Sequence, residues 1–295
     1  MIANEESLTP LPAKLYRGLK VLTCAWPGDR VSEESLLIKV HEVKGTSKLP
    51  LIWCGGPPEL GTIISICGQE RSIYGLRGTY DFVEPTDDVI RKLGKYYADE
   101  IEKAIPGDTY VIAGYCAAAY IAMEIAQILV KRGNKIGFLA LVERDVTMSN
   151  TLLKYTRKIF NRLDYHGTRL YESLQNIKKD NPSVFGYLKN VPRIICDNFK
   201  KEQPGEIDPR EIIRYKRRKT RDSWYEFKPY SGSASLFFIR WGVFGFYQLS
   251  FFQKYWKKIV HGGITVDFIP GYSHKYPNWT AIIQKMNQRL IEKGY

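Results

Sequence analysis

Apolar positions along the chain fall into short continuous runs separated by longer amphipathic stretches. Leu49-Pro50-Leu51-Ile52-Trp53-Cys54 is one such run and ends at Gly55-Gly56-Pro57-Pro58, the pattern of a buried strand entering a loop. Ser72 to Leu76 is a second candidate strand. Between Asp87 and Ile105, Val89, Leu93, Tyr97 and Ile101 recur every fourth residue, which predicts a helix with one buried face. Thr109 to Ala113 has the composition of a strand buried on both faces. A long apolar helix from about Ala117 to Lys131 and a strand over Lys135 to Val142 follow. Strands alternating with helices predict a mostly parallel sheet flanked by helices.

The rhythm stops after Asp145. Leu152 to Asn176 reads as a basic amphipathic helix, and more helix is expected up to Arg221. Alternation then resumes, with a strand over Ser233–Ile239, a helix over Phe251–Val260, a strand over Ile264–Ile269 and a terminal helix over Trp279–Lys293. An interrupted α/β pattern is read as one domain, residues 48–295, with a helical lid inserted at about 147–222. Residues 1–47 read as an N-terminal extension. In it, strands over Lys20–Cys24 and Leu36–Val43 around the turn Pro27-Gly28-Asp29 would form an edge hairpin.

Composition narrows the class. With 295 residues, 44% hydrophobic and 25% charged, the chain can bury a core without staples, which excludes a disordered, collagen-like or disulfide-stapled protein. The five cysteines are odd in number and lack CxxC spacing, so neither a disulfide framework nor a zinc site is expected, and most should be small core residues. The start, Met1 to Glu6, is polar and acidic, unlike a secretory signal. The longest apolar candidate, Leu236 to Phe252, is broken by Arg240 and Gln248, short of the roughly 18 residues of a spanning helix. The expected location is therefore cytoplasmic. A formal net charge of +13 points to an acidic partner, whether nucleic acid, an anionic membrane face or an acidic protein.

The segment Val111-Ile112-Ala113-Gly114-Tyr115-Cys116-Ala117-Ala118-Ala119-Tyr120 carries candidate chemistry. A buried strand turns sharply into a helix with a nucleophile-capable residue, Cys116, at the turn, and the crowded neighbours Gly114 and Ala118 are small as such an elbow requires. The helix N-terminus should favour the thiolate. Of the four histidines, His274 is the expected base, because Ile269-Pro270-Gly271-Tyr272-Ser273-His274 follows the last predicted strand. His166 falls in the lid, His261 precedes a Gly262-Gly263 turn and His41 lies outside the main sheet. The orienting acid should follow the strand after the elbow, where Glu143 stands at the strand end and Asp145 is the alternative. The order Cys, Glu, His is that of α/β-hydrolase triads. An oxyanion hole needs backbone donors, here Ala117 and one from the loop after Cys54. Pro57 and Pro58 cannot donate, which leaves Gly55, Gly56 or Glu59, with Gly56 preferred.

These residues, together with Tyr74-Gly75-Leu76-Arg77-Gly78, Tyr230-Ser231-Gly232 and Val266 to His274, resemble the thioesterase family of nonribosomal peptide and polyketide synthases, within the α/β-hydrolase superfamily. The similarity runs from about Leu49 to Ile291. It departs from the family's pattern at Cys116, where serine is usual, at Glu143, where aspartate is usual, and at Ala118, where glycine is usual. The resemblance implies an α/β-hydrolase fold and an acyl or peptidyl group delivered on the phosphopantetheine of an acidic carrier protein, with no cofactor of the enzyme's own. Cysteine in place of serine keeps the bound acyl group an activated thioester, so transfer to a small-molecule acceptor, an amine or other nucleophile, is expected over simple hydrolysis. The alternatives are a hydrolytic release or editing thioesterase and a non-catalytic binding protein on the same fold. The cluster Arg214 to Arg221 also suits nucleic acid, and the basic lid also suits a membrane surface; neither is accompanied by a motif, and the acidic carrier is the preferred partner.

Overall fold

The computed structural model describes residues 10–78, 86–142, 225–240, 253–270 and 277–295. Glu143, Asp145, His166, Cys196, the expected lid at 147–222 and His274 lie outside the described residues. In chain order the described elements are α1 (Ala13–Leu22), β1 (Asp29–Arg30), β2 (Ile38–His41), β3 (Leu51–Gly55), α2 (Pro57–Cys67), β4 (Ile73–Arg77), α3 (Asp87–Ala104), β5 (Thr109–Tyr115), α4 (Ala118–Lys131), β6 (Lys135–Val142), β7 (Ala234–Arg240), α5 (residues 253–259), β8 (Ile264–Pro270) and α6 (Trp279–Glu292).

The strands form one eight-stranded sheet in the order β1-β2-β4-β3-β5-β6-β7-β8. β1 and β2 join antiparallel at one edge, and every pairing from β4 to β8 is parallel. Side chains alternate between two apolar layers, as the period of a strand requires. Leu51, Trp53, Val111, Ala113, Phe138 and Ala140 pack with residues of α2 and α6. Ile52, Cys54, Ile112, Leu139 and Leu141 face the other way, against α1, α3 and α4. Strands covered on both faces explain why their sequences read as continuous apolar runs. The chain thus has the mostly parallel, helix-flanked sheet of an α/β-hydrolase.

Two expectations are corrected. Lys20–Cys24 is the end of helix α1 and the turn after it, not a strand. Leu15 and Leu19, four residues apart, supply the buried face, while Val21 points to solvent. The strand over Leu51–Gly55 does not enter a loop at Gly55–Pro58 as expected, because only Gly56 separates it from α2, which begins at Pro57. A proline ring holds the backbone angle that a first helical turn needs and lacks a donor that would go unused there, so Pro57-Pro58 starts a helix here.

Polar contacts tie α3 and α4 to the segments packed around them. Tyr225 Oη donates to Glu124 Oε2 at 2.6 Å, Arg91 Nη1 reaches both Glu124 oxygens at 3.2 and 3.0 Å, and Gln127 Nε2 donates to Lys228 O at 2.8 Å. These contacts fasten residues 225–228 to α3 and α4. On the same α3, Glu100 Oε2 accepts from Ser35 Oγ and holds the N-terminal segment in place. Burial pushes the Glu100 carboxyl from 4.5 up to about 7. The folded chain then binds this proton more tightly than the unfolded chain, so stability is highest at low pH on this account and falls as pH rises between these two values. Glu59, with the same shift, adds a parallel fall. Glu100→Gln is expected to remove on the order of 2 kcal/mol of the decline between about pH 5 and 8 in urea unfolding. An unchanged slope would show that Glu100 is ionised freely in the fold.

Candidate active site

The elbow after β5 is built by backbone contacts. Cys116 has φ +51°, and it is the one non-glycine residue with positive φ among the described residues. A left-handed L-residue costs about 1–2 kcal/mol and persists only where its surroundings hold it. Here the Cys116 N–H donates to Val142 O at 2.8 Å, and Ala119 N–H donates to Cys116 O at 3.2 Å. Gly114 leaves the space for α4 to fold back: a Cβ there would stand 2.7 Å from Ala122 Cβ and 2.8 Å from Ala119 Cα. Ala118, two residues past the cysteine, is buried, and a Cβ on Gly78 would stand 3.2 Å from its Cβ. Cys116 itself is part-exposed at the end of the strand.

Topology places this elbow at the sheet's switch point. From β3 the chain crosses to β4 on one side and then to β5 on the other. In such sheets the crevice opens at the carboxyl ends of the two strands where direction reverses. Cys54 pairs in register with Gly114, so Gly55-Gly56 and Tyr115-Cys116 leave neighbouring strands at the same edge, about 5 Å apart in the pairing direction. β6 ends beside them, with Val142 paired to Tyr115. Of the expected site residues, the structure thus brings Cys116, Ala117 and Gly56 to one corner. Ala117 is the N-cap of α4, and Gly56 is the N-cap of α2.

Gly56 has a partner that the sequence reading overlooked. Its N–H donates to Glu59 Oε1 at 3.3 Å, so a buried carboxylate three residues on reaches back to the N-cap of its own helix. Burial pushes this carboxyl from 4.5 up to about 7, against the pull of the backbone N–H groups of Glu59 and Gly56 and of Arg77. The three-residue spacing from Gly56 to Glu59 was the available signal. A second feature is aromatic. Trp279, the first residue of α6, packs edge-on against Tyr115 with ring centres 4.6 Å apart and against Trp53 at 6.4 Å.

Two histidines are placed away from this corner. His41 pairs with Ile73 at the opposite edge of the sheet, and its Nε2 contacts Gly68 O at 2.8 Å. His261 lies between α5 and the start of β8, with Nε2 3.2 Å from Lys258 O. Cys54 and Cys67 are buried core thiols, and burial pushes Cys67 up to about 11. Cys24 is exposed, not the core residue expected, because it follows the end of α1. No disulfide joins these cysteines. Among the described residues no group of three or more His, Cys, Asp or Glu is placed to hold a metal ion, and no helix is long and apolar enough to cross a membrane.

Comparison with known proteins gives this corner a family context. Residues 71–158, which include the elbow and Glu143, match the family model of the thioesterase domain. A nonribosomal peptide synthetase, pngA of Aspergillus terreus (strain NIH 2624 / FGSC A1156), is 32% identical over 126 residues, covering 41% of this chain; the match spans only 13% of that protein's length. Among solved structures, YbtT, a type II thioesterase from the yersiniabactin NRPS/PKS biosynthetic pathway, superposes with a TM-score of 0.50 at 13% identity, over 88% of this chain and 99% of its own. The NocB thioesterase domain, in covalent complex with a fluorophosphonate nocardicin G analogue, gives 0.46 at 12% identity, over 83% and 96%. Over residues 71–158 this chain carries the sequence pattern of a thioesterase domain, and the fold that presents it is the α/β-hydrolase-like fold of the thioesterases.

Proposed function

We propose that the protein is a thioesterase-like acyltransferase that takes an acyl or peptidyl group from a carrier-bound phosphopantetheine thioester onto Cys116 and releases it to an amine. The observation that carries this reading is the left-handed backbone of Cys116 at a strand–helix turn on the switch-point edge. A cysteine with only a packing role has no need of that conformation, and strain of this kind gathers at reactive sites.

In the first half-reaction the Cys116 thiolate forms a bond to the thioester carbonyl carbon, and the C=O electron pair moves onto oxygen. Ala117 N–H at the start of α4 and Gly56 N–H at the start of α2 are the donors to that oxyanion. The pair returns, the bond to the pantetheine sulfur breaks, and the departing thiolate takes a proton from His274. In the second half, the amine nitrogen attacks the Cys116 thioester, gives its proton to His274, and the Cys116 thiolate leaves. Glu143 orients His274. Support for these partners comes from their described neighbours. Val142, directly before Glu143, is bonded to the Cys116 N–H, and Trp279 anchors the chain beyond His274 against Tyr115. The +13 charge suits an acidic carrier as the donor's vehicle.

Exchange between thioesters is close to isoenergetic, so the acyl group stays activated for an amine in a way a serine oxoester would not. Incubating the protein with a carrier-bound acyl thioester, with and without candidate amines, tests this. The expected result is an acyl adduct on Cys116 by intact-protein mass, discharged as amide when amine is present. Free acid as the sole product with every amine would favour a hydrolytic release or editing role. Failure of Cys116 to take up acyl groups would favour a binding protein on a hydrolase fold.

A further inference from the structure

One carboxylate takes both donors at the start of α2. Pro57 and Pro58 have no N–H, so the helix start is left with Gly56 N–H and Glu59 N–H. Glu59 Oε1 accepts from Gly56 N–H at 3.3 Å, and the same carboxylate bonds its own backbone N–H. Its Oε2 is buried with no hydrogen-bond partner among the described residues. The charged group facing this corner from β4 is Arg77, whose Nη1 would stand 2.6 Å from a Cβ on Gly56, while Glu59 Oε2 would stand 3.2 Å from it. A bond that only capped Gly56 N–H would be served as well by a glutamine, which buries no charge.

We propose that Glu59 is a positioning residue for acylation at Cys116: its carboxylate competes with the substrate's developing oxyanion for Gly56 N–H, and its neutral form yields that donor. The inference rests on the reading of Cys116 as acyl acceptor and of Gly56 as a donor to the oxyanion. A hydrogen bond to an ionised acceptor is about twice as strong as one to a neutral acceptor. Burial raises the Glu59 carboxyl to about 7, so both forms are populated near neutral pH. Lowering the pH then frees the donor while it also depletes thiolate.

Two reagents separate these effects. Iodoacetamide alkylates Cys116 by displacement at a saturated carbon, which develops no oxyanion and reports thiolate alone. An S-acyl-N-acetylcysteamine thioester reports thiolate and oxyanion stabilisation together. The ratio of acylation to alkylation of Cys116, read by peptide mass in the full chain so that the exposed Cys24 is counted apart, isolates the donor. In the wild type this ratio is expected to fall about tenfold from pH ~6 to ~8, a fraction of the loss seen when an oxyanion donor is deleted outright. In Glu59→Gln, whose amide oxygen keeps the Gly56 bond without a charge, the ratio is expected to stay flat at the higher value. A flat ratio in the wild type overturns the proposal without recourse to any variant, and so does a parallel fall in Glu59→Gln. Normal alkylation with no acyl adduct at any pH instead overturns the reading of Cys116 on which the proposal rests.

Discussion

Cys116→Ala is expected to abolish covalent acyl capture and to lower thioester turnover by at least about 10³-fold, since loss of a nucleophile removes the step on which the other groups act. The fold should survive, because the side chain is part-exposed and little packing is lost with it. Cys116→Ser is the sharper variant. Serine has no β-branch and tolerates the same left-handed backbone as cysteine. Its acyl-enzyme would be an oxoester, less reactive to amines. Product analysis with one thioester and one amine should then show the amide-to-acid ratio falling from cysteine to serine. An unchanged ratio would mean that the nucleophile's chemistry does not decide the outcome. Residual turnover in Cys116→Ala equal to wild type would remove Cys116 from the mechanism.

Gly114→Val should be the most damaging substitution outside the reacting groups. The new Cβ would overlap Ala122 Cβ at 2.7 Å, Ala119 Cα at 2.8 Å and Ala118 O at 3.0 Å. Two of these are backbone atoms of α4, which cannot turn aside as a flexible side chain can. The helix must therefore move off β5, with a stability loss of about 3 kcal/mol expected from overpacking. The same movement takes the Cys116 backbone out of its left-handed well, so iodoacetamide labelling should lose its enhancement over a simple thiol. Urea unfolding and the labelling rate measure the two effects. Wild-type stability together with wild-type labelling would mean that the elbow is not held by this contact.

Much of the parallel sheet was legible from the pattern of residues. Strands buried on both faces appear as short apolar runs, and Thr109–Tyr115 and Lys135–Val142 lie where those runs stand. Helix α3 is visible in its four-residue apolar spacing because one face is buried and the other wet. Misreadings came where local chemistry has two uses. Pro57-Pro58 ends a strand and equally starts a helix. Lys20–Leu22 has enough apolar residues for a strand, and the register set by Leu15 and Leu19 decided in favour of a helix. Glu59 was weighed only as a backbone donor, since its side chain became relevant only once burial and the Gly56 N–H were known.

By itself the sequence determined which residue types fit the strand-to-helix elbow. Small residues flank Cys116 because a sharp strand-to-helix turn has no room for larger ones, and that demand is local enough to be written within a few positions. From β4 to β6 it also determined the order of strands and helices, through periodicities that each element carries in its own residues. Only the tertiary structure decided that the chain reverses direction between β3 and β5, which brings Gly56 to the edge where Cys116 stands. Only the tertiary structure decided that Glu59 is buried with one oxygen on Gly56 N–H and the other without a hydrogen-bond partner among the described residues. Pairing and burial are set by contacts between segments far apart in the chain, so no local pattern encodes them.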